Sequence, residues 1–108
     1  MILDFRNERD WQQFHTVKNL FVSLSLETAE LFELAQWKTD TEVQNLKMDP
    51  EFKKQAGGEC ADIMIYLILI SHELGINLFE EVRQKVELND QRYPADKVRG
   101  RSTKYTDL

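Results

Sequence analysis

The chain has 108 residues, of which 42% are hydrophobic, and its 19 acidic and 14 basic side chains give a formal net charge of -5. That length suits a single domain, residues 1–108, with a modest core, and the negative balance argues against nonspecific binding to a nucleic acid polymer. The longest apolar run, Ile63 to Ile70, is far short of the roughly 20 residues that span a bilayer, no basic leader with an apolar stretch opens the chain, and the lone Cys60 forbids an intrachain disulfide. The expectation is a soluble cytoplasmic protein without membrane contact, with Cys60 buried as a small apolar side chain.

Four Gly, two Pro and no Asn-Gly or Asp-Gly pair leave few strand signals, so the fold class is all-α, a bundle of about four helices. The first helix is expected after Asn7 as N-cap, because Trp11, Phe14, Val17, Phe21, Leu24, Thr28 and Leu31 step by three or four. It reads as one long helix, or two abutting ones, to about Trp37. Residues 38–48 are polar and aperiodic and read as a loop.

Asp49-Pro50 is an N-cap followed by Pro at the first helical position, so a helix opens there and runs through Ile70 toward Leu74. Gly75 supplies the stop. Within it, Gly57 and Gly58 each cost about 1 kcal/mol relative to alanine, and a kink or break is expected. Asn77 and Glu80 have the spacing of a capping box, and the last helix continues through Val82, Val86 and Asn89 until Pro94. Residues 95–108 form a basic tail with Lys97, Arg99, Arg101 and Lys104, either a flap over phosphates or a polar terminus without fixed structure. The run Ile63 to Ile70 is apolar on every side of its helix, and a helix of that kind must be covered on every side. A homo-oligomer, dimer or tetramer, would complete the bundle.

Two helices carry acidic pairs at i,i+3: Glu27 with Glu30, and Glu59 with Asp62. Such pairs share a helix face with Cβ atoms about 5 to 6 Å apart. Leu24, Leu26, Leu31 and Leu34 surround the first pair and the apolar run follows the second, so these carboxylates stand at the edge of a core and need compensation. Neither pair contains the histidine of a Glu-x-x-His di-iron site. Mg²⁺ fits better, since it takes oxygen ligands and bridges carboxylates to phosphates. The competing reading of each pair is a solvated acidic face.

Further candidates keep two readings each. Tyr66 follows Asp62 by one turn and is either a substrate contact or a core tyrosine. Lys85, Asn89 and Arg92 make one stripe of donors, for phosphate oxygens or simply for water. Trp11 and Trp37 offer flat faces for a base or for core packing, and His15 is a base contact or a surface residue.

Taken together, the residues resemble the all-α nucleotide pyrophosphohydrolases of the MazG-like superfamily, whose signature is Glu-x-x-Glu on one helix and Glu-x-x-Asp on a later one. Within it they are similar to the dCTP pyrophosphatase branch, through Glu8 to His15, Glu30 to Lys38, Lys85 to Pro94 and Lys104 to Leu108. The resemblance spans about Arg6 to Leu108. It implies a Mg²⁺-dependent enzyme that converts a deoxynucleoside triphosphate, dCTP or a modified dCTP, to monophosphate and pyrophosphate. It further implies Glu27, Glu30, Glu59 and Asp62 as metal ligands, with Glu30 and Asp62 catalytic. Trp11, His15, Trp37 and Tyr66 would contact base and sugar, and Lys85, Asn89 and Arg92 the phosphates. Two positions depart from the pattern: Gly58 precedes Glu59 where an acid is frequent, and Ile2 stands where animal members supply a histidine to the base pocket. Two alternatives remain, the same chemistry on dUTP or another non-standard nucleotide, and a non-catalytic helical interaction module.

Overall fold

The computed structural model describes residues 1–107, and every regular element in them is helical. In chain order these are α1 (Ile2–Glu8), a 3-10 turn (Gln12–Phe14), α2 (Val17–Glu33), α3 (Asp40–Asn45), α4 (Pro50–Leu74), α5 (Leu78–Arg92), α6 (Ala95–Val98) and a second 3-10 turn (Tyr105–Asp107). The all-α expectation holds, with six α-helices in place of about four. They form two compact units, Met1–Gly75 and the segment from Ile76 onward.

In the first unit α4 is the spine, with α2 packed along it and α1 against it. Leu20 of α2 and Leu69 of α4 are its most deeply buried apolar side chains. The N-terminal region differs from the single long helix expected. Asn7 lies inside α1 rather than capping a later helix, and Asp10, at φ 54, takes a left-handed conformation that ends the helical path. The cap of α2 is Thr16, whose Oγ1 accepts from the Asn19 N–H at 3.2 Å. Trp11 and Phe14 kept the apolar spacing because a 3-10 turn and an α-helix both return a side chain every three to four residues. At the other end α2 stops at Glu33, so Trp37 lies beyond the helix in a turn.

Residues 38–48, read as a loop, contain α3. Its start is a complete capping box: the Thr39 hydroxyl accepts from the Glu42 N–H at 3.2 Å and the Glu42 carboxylate accepts from the Thr39 N–H at 3.4 Å. Asp49 caps α4 as expected, accepting from the Phe52 N–H at 2.9 Å, and Gly75 ends it at φ 66. The break expected as one possibility at Gly57-Gly58 is absent, and α4 runs unbroken through both. Tertiary packing against α2 outweighs the weak local preference of two glycines. Cys60 is exposed on this chain rather than buried.

In the second unit Asn77 Oδ1 accepts from the Glu80 N–H at 3.2 Å, which is half of the expected box. The Glu80 carboxylate turns instead to Arg83 and Gln84. After α5 the chain folds back: Tyr105 meets Tyr93 edge-on with ring centroids 5.8 Å apart, and the Arg92 guanidinium lies 4.6 Å from the Tyr105 ring centroid. The tail through Asp107 therefore has its own short elements; Leu108 lies outside the described residues.

A Cβ placed on Gly57 would meet nothing within 4 Å. Gly57→Ala is expected to raise stability by about 1 kcal/mol, read as a higher Tm in thermal denaturation followed by circular dichroism.

Candidate active site

The site rests on the packing of α2 against α4. One turn of helix separates Glu27 from Glu30 and Glu59 from Asp62, so each pair shares a face, and the helix contact turns these faces together. Glu27, Glu30 and Glu59 each offer a carboxylate oxygen, and the three oxygens lie within 4.8 Å of one another. Glu30 is exposed, while Glu27 and Glu59 are half-buried. The Oε2 atoms of Glu27 and Glu59 are buried without a hydrogen-bond partner. Among the described residues, no Lys or Arg forms an ion pair with any of the four acids.

Burial pushes the Glu27 carboxyl above the usual carboxylate range, and the charge and hydrogen bonding of Glu30, then the charges of Asp62 and Glu59, push it the same way. Glu59 is raised likewise, by burial first, then by a hydrogen bond with Glu30 and the charges of Glu30, Asp62 and Glu33. Asp62 is thus the fourth member electrostatically, standing beside the close trio. Oxygen donors that converge, repel one another and leave buried lone pairs unused are the donor set of a hard divalent cation, and these four residues fit one.

Next to the carboxylates a cavity of about 310 Å³ opens, with Glu27 and Asp62 on its wall. Trp11, His15 and Tyr66 also line it. Three elements supply them: the turn after α1 carries Trp11, the entry to α2 carries His15, and α4 carries Tyr66 one turn beyond Asp62. The His15 ring is half-buried with Nδ1 unpartnered. Burial, then the positive charge of Arg6, holds its pKa below the ordinary histidine value against a smaller opposing effect of Glu73.

Other candidates are placed elsewhere. Trp37 does not line the cavity and is 87% exposed on this chain. Lys85, Asn89 and Arg92 belong to the second unit, all three exposed on α5, with Lys85 beside a small hollow shared with Glu81, Gln84 and Leu88. Conversely, the cavity has wall residues that the sequence reading did not single out as contacts. Phe5 and Arg6 come from α1, with Ile2 on the same wall. The i, i+3, i+4 spacing of Ile2, Phe5 and Arg6 was the available signal for one helix face, hidden by starting the helix after Asn7.

Raised carboxyl values fix the sign of a pH effect. Glu27 and Glu59 have folded-state values above the ordinary 4.5, so their contribution to stability is present below that value and is lost as the pH rises through the raised values. Metal-free protein should lose stability from this cluster as the pH rises above the ordinary 4.5, and millimolar Mg²⁺ should raise Tm more at neutral pH than at acidic pH. Differential scanning fluorimetry with Mg²⁺ or EDTA checks this; an equal Tm with and without the ion at both pH values would refute it.

A family model described as the MazG-like family matches residues 22–108. Among individual relatives, dCTP pyrophosphatase 1 from Mus musculus is 41% identical over 105 residues, which cover 97% of this chain and 62% of that protein. The Homo sapiens dCTP pyrophosphatase 1 is 40% identical over the same length and coverage. The chain therefore spans 62% of the length of these relatives. A crystal structure of a pyrophosphatase from Archaeoglobus fulgidus superposes with a TM-score of 0.77 at 40% identity, covering 86% of this chain and 85% of that one.

Proposed function

This chain belongs to the MazG-like family, and we propose that it is a Mg²⁺-dependent nucleoside triphosphate pyrophosphohydrolase acting on dCTP or a modified dCTP in the cytoplasm. The observation that carries the reading is the convergence of Glu27, Glu30 and Glu59 between α2 and α4, beside a cavity lined by Trp11, His15 and Tyr66. The relatives named dCTP pyrophosphatase support the substrate class.

Glu27, Glu30, Glu59 and Asp62 would hold the cation. When bound, it supplies neutralisation of the triphosphate charge and acidification of water at neutral pH. The chain's own residues then do the positioning. Trp11 presents an aromatic face to the base, neutral His15 a polar edge, and Tyr66 a hydroxyl to the sugar. Glu30, the exposed member of the trio, accepts the proton of the attacking water as general base, and Asp62 keeps the local field negative on the side facing the cavity. Lys85, Asn89 and Arg92 are the proposed phosphate donors of the second unit, and Trp37 a proposed substrate contact. Water attacks the α–β phosphoanhydride, so the products are monophosphate and pyrophosphate, and positioning with charge neutralisation accounts for most of the rate.

Ile2 on the cavity wall favours testing a second reading, the same reaction on a different base, because an apolar side chain there supplies no hydrogen bond to a cytosine edge. Purified protein incubated with dCTP, 5-methyl-dCTP, dUTP, dTTP and dATP, in Mg²⁺ or EDTA, separates these by chromatography of the products. Monophosphate and pyrophosphate should appear only with the metal, and Asp62→Asn and Glu59→Gln should each lower kcat by at least about 100-fold. No turnover of any of these nucleotides by folded wild-type protein would instead favour a non-catalytic interaction module. We also propose a dimer or tetramer, because Phe32, Trp37, Met64 and Phe79 are each more than half exposed on the single chain. Light scattering after size exclusion should give two or four times the 12.8 kDa chain mass.

A further inference from the structure

Arg6 is the one buried charged residue among the described residues, with 7% of its surface exposed. A guanidinium is rarely taken out of water without a structural purpose. Its Nη1 donates to Glu73 Oε1 at 3.0 Å, joining α1 to the last turn of α4 across 67 positions of sequence, and its Nε donates to Asn7 Oδ1 at 3.1 Å. Its backbone carbonyl accepts from the N–H groups of Arg9 at 3.2 Å and Trp11 at 3.1 Å. One residue therefore ties α1, the turn carrying Trp11, and α4, and its own side chain lies on the cavity wall.

We propose that the Arg6–Glu73 ion pair is the positioning device of the nucleoside end of the cavity, latching α1 to α4 so that Ile2, Phe5 and Trp11 form a fixed wall, and holding a positive charge toward His15. It deepens the proposed nucleotide hydrolysis and rests on that reading for its substrate. α1 is only seven residues long, too short to persist as an isolated helix in water, so its place depends on what anchors it. Phe5 and Trp11, stacked edge-on with centroids 5.8 Å apart, move with the anchor. The pair also acts on His15, whose ring is kept neutral by burial and by Arg6 while Glu73 works the other way. Glu27 from α2, and Asp62 and Tyr66 from α4, are the other titratable groups on this wall. A neutral imidazole beside apolar and aromatic side chains suits an uncharged heterocycle with a polar edge, whereas the carboxylate end takes the charged phosphates. Arg6 is thus a positioning residue with no part in bond cleavage.

The test uses Arg6→Met, Arg6→Lys and Glu73→Gln in the full chain, with Mg²⁺ and dCTP as the probe. Arg6→Met and Glu73→Gln should raise KM roughly tenfold with kcat within about threefold, and Arg6→Lys should recover part of the loss. Glu73→Gln serves if Arg6→Met fails to fold. A second readout is the His15 imidazole titration by NMR, without nucleotide. Removing Arg6 should raise the His15 value and removing Glu73 should lower it further, opposite shifts that general loosening of the fold does not produce. If the wild type hydrolyses no nucleotide the functional reading falls, and the latch is then read from α1 itself: its amide protection against hydrogen exchange should be lost in both Arg6→Met and Glu73→Gln, and protection retained in both overturns it. Shifts of the same sign in folded variants, or an unchanged KM in both when the wild type is active, overturn it.

Discussion

The rest of the molecule is arranged around a repulsion. Carboxylates on α2 and α4 are brought within reach of one another at a place where water is partly excluded, and nothing within the described residues neutralises them. Apolar packing between the same two helices, centred on Leu20 and Leu69, must offset that cost. The i,i+3 register makes the two effects inseparable, because the turn of helix that buries a leucine also aims the neighbouring glutamates. A one-residue slip of either helix would rotate its pair by about 100° and dissolve the cluster. Stability is held down here by the same geometry that makes a site for a cation, a familiar trade at functional centres.

Against that constraint, the α1 region supplies what α2 and α4 lack, a wall across one end of the space between them. Its architecture is light: seven residues of helix, a left-handed Asp10, and a 3-10 turn leading to the Thr16 cap. The wall is partly apolar, with Ile2 and Phe5, and partly a buried charge, Arg6. The cavity wall therefore combines two acids, Glu27 and Asp62, with apolar side chains and a cation compensated by Glu73. Apolar side chains elsewhere, among them Trp37, Phe79 and Val86, are more than half exposed on the single chain.

Much of this was legible in the sequence because it is local. The all-α class followed from periodicity and the scarcity of turn pairs, the ends of α4 from Asp49-Pro50 and Gly75, and the start of α5 from Asn77, since a cap acts within one turn of its own backbone. The acidic pairs could be placed on faces because helical spacing alone sets which side chains are neighbours. Where local signals conflicted or were weak, reading failed. Gly57-Gly58 suggested a break that packing overrides, the Thr39–Glu42 box went unrecognised in a polar stretch, and Trp11 and Phe14 extended an apolar period through a turn that is not α-helical.

By itself, then, the sequence determined the helical class, the membership of Glu27 with Glu30 and of Glu59 with Asp62 on common faces, and the candidate identities of Trp11, His15 and Tyr66. Only the tertiary structure decided that three of the acids meet within 4.8 Å, that those aromatic residues share one cavity with Glu27 and Asp62, and that Trp37 stands apart on this chain. It also decided that Arg6 is buried against Glu73. The physical reason is range: capping and face geometry are fixed by residues three or four apart, whereas a contact across 67 positions depends on how whole helices pack, and no local preference encodes that distance.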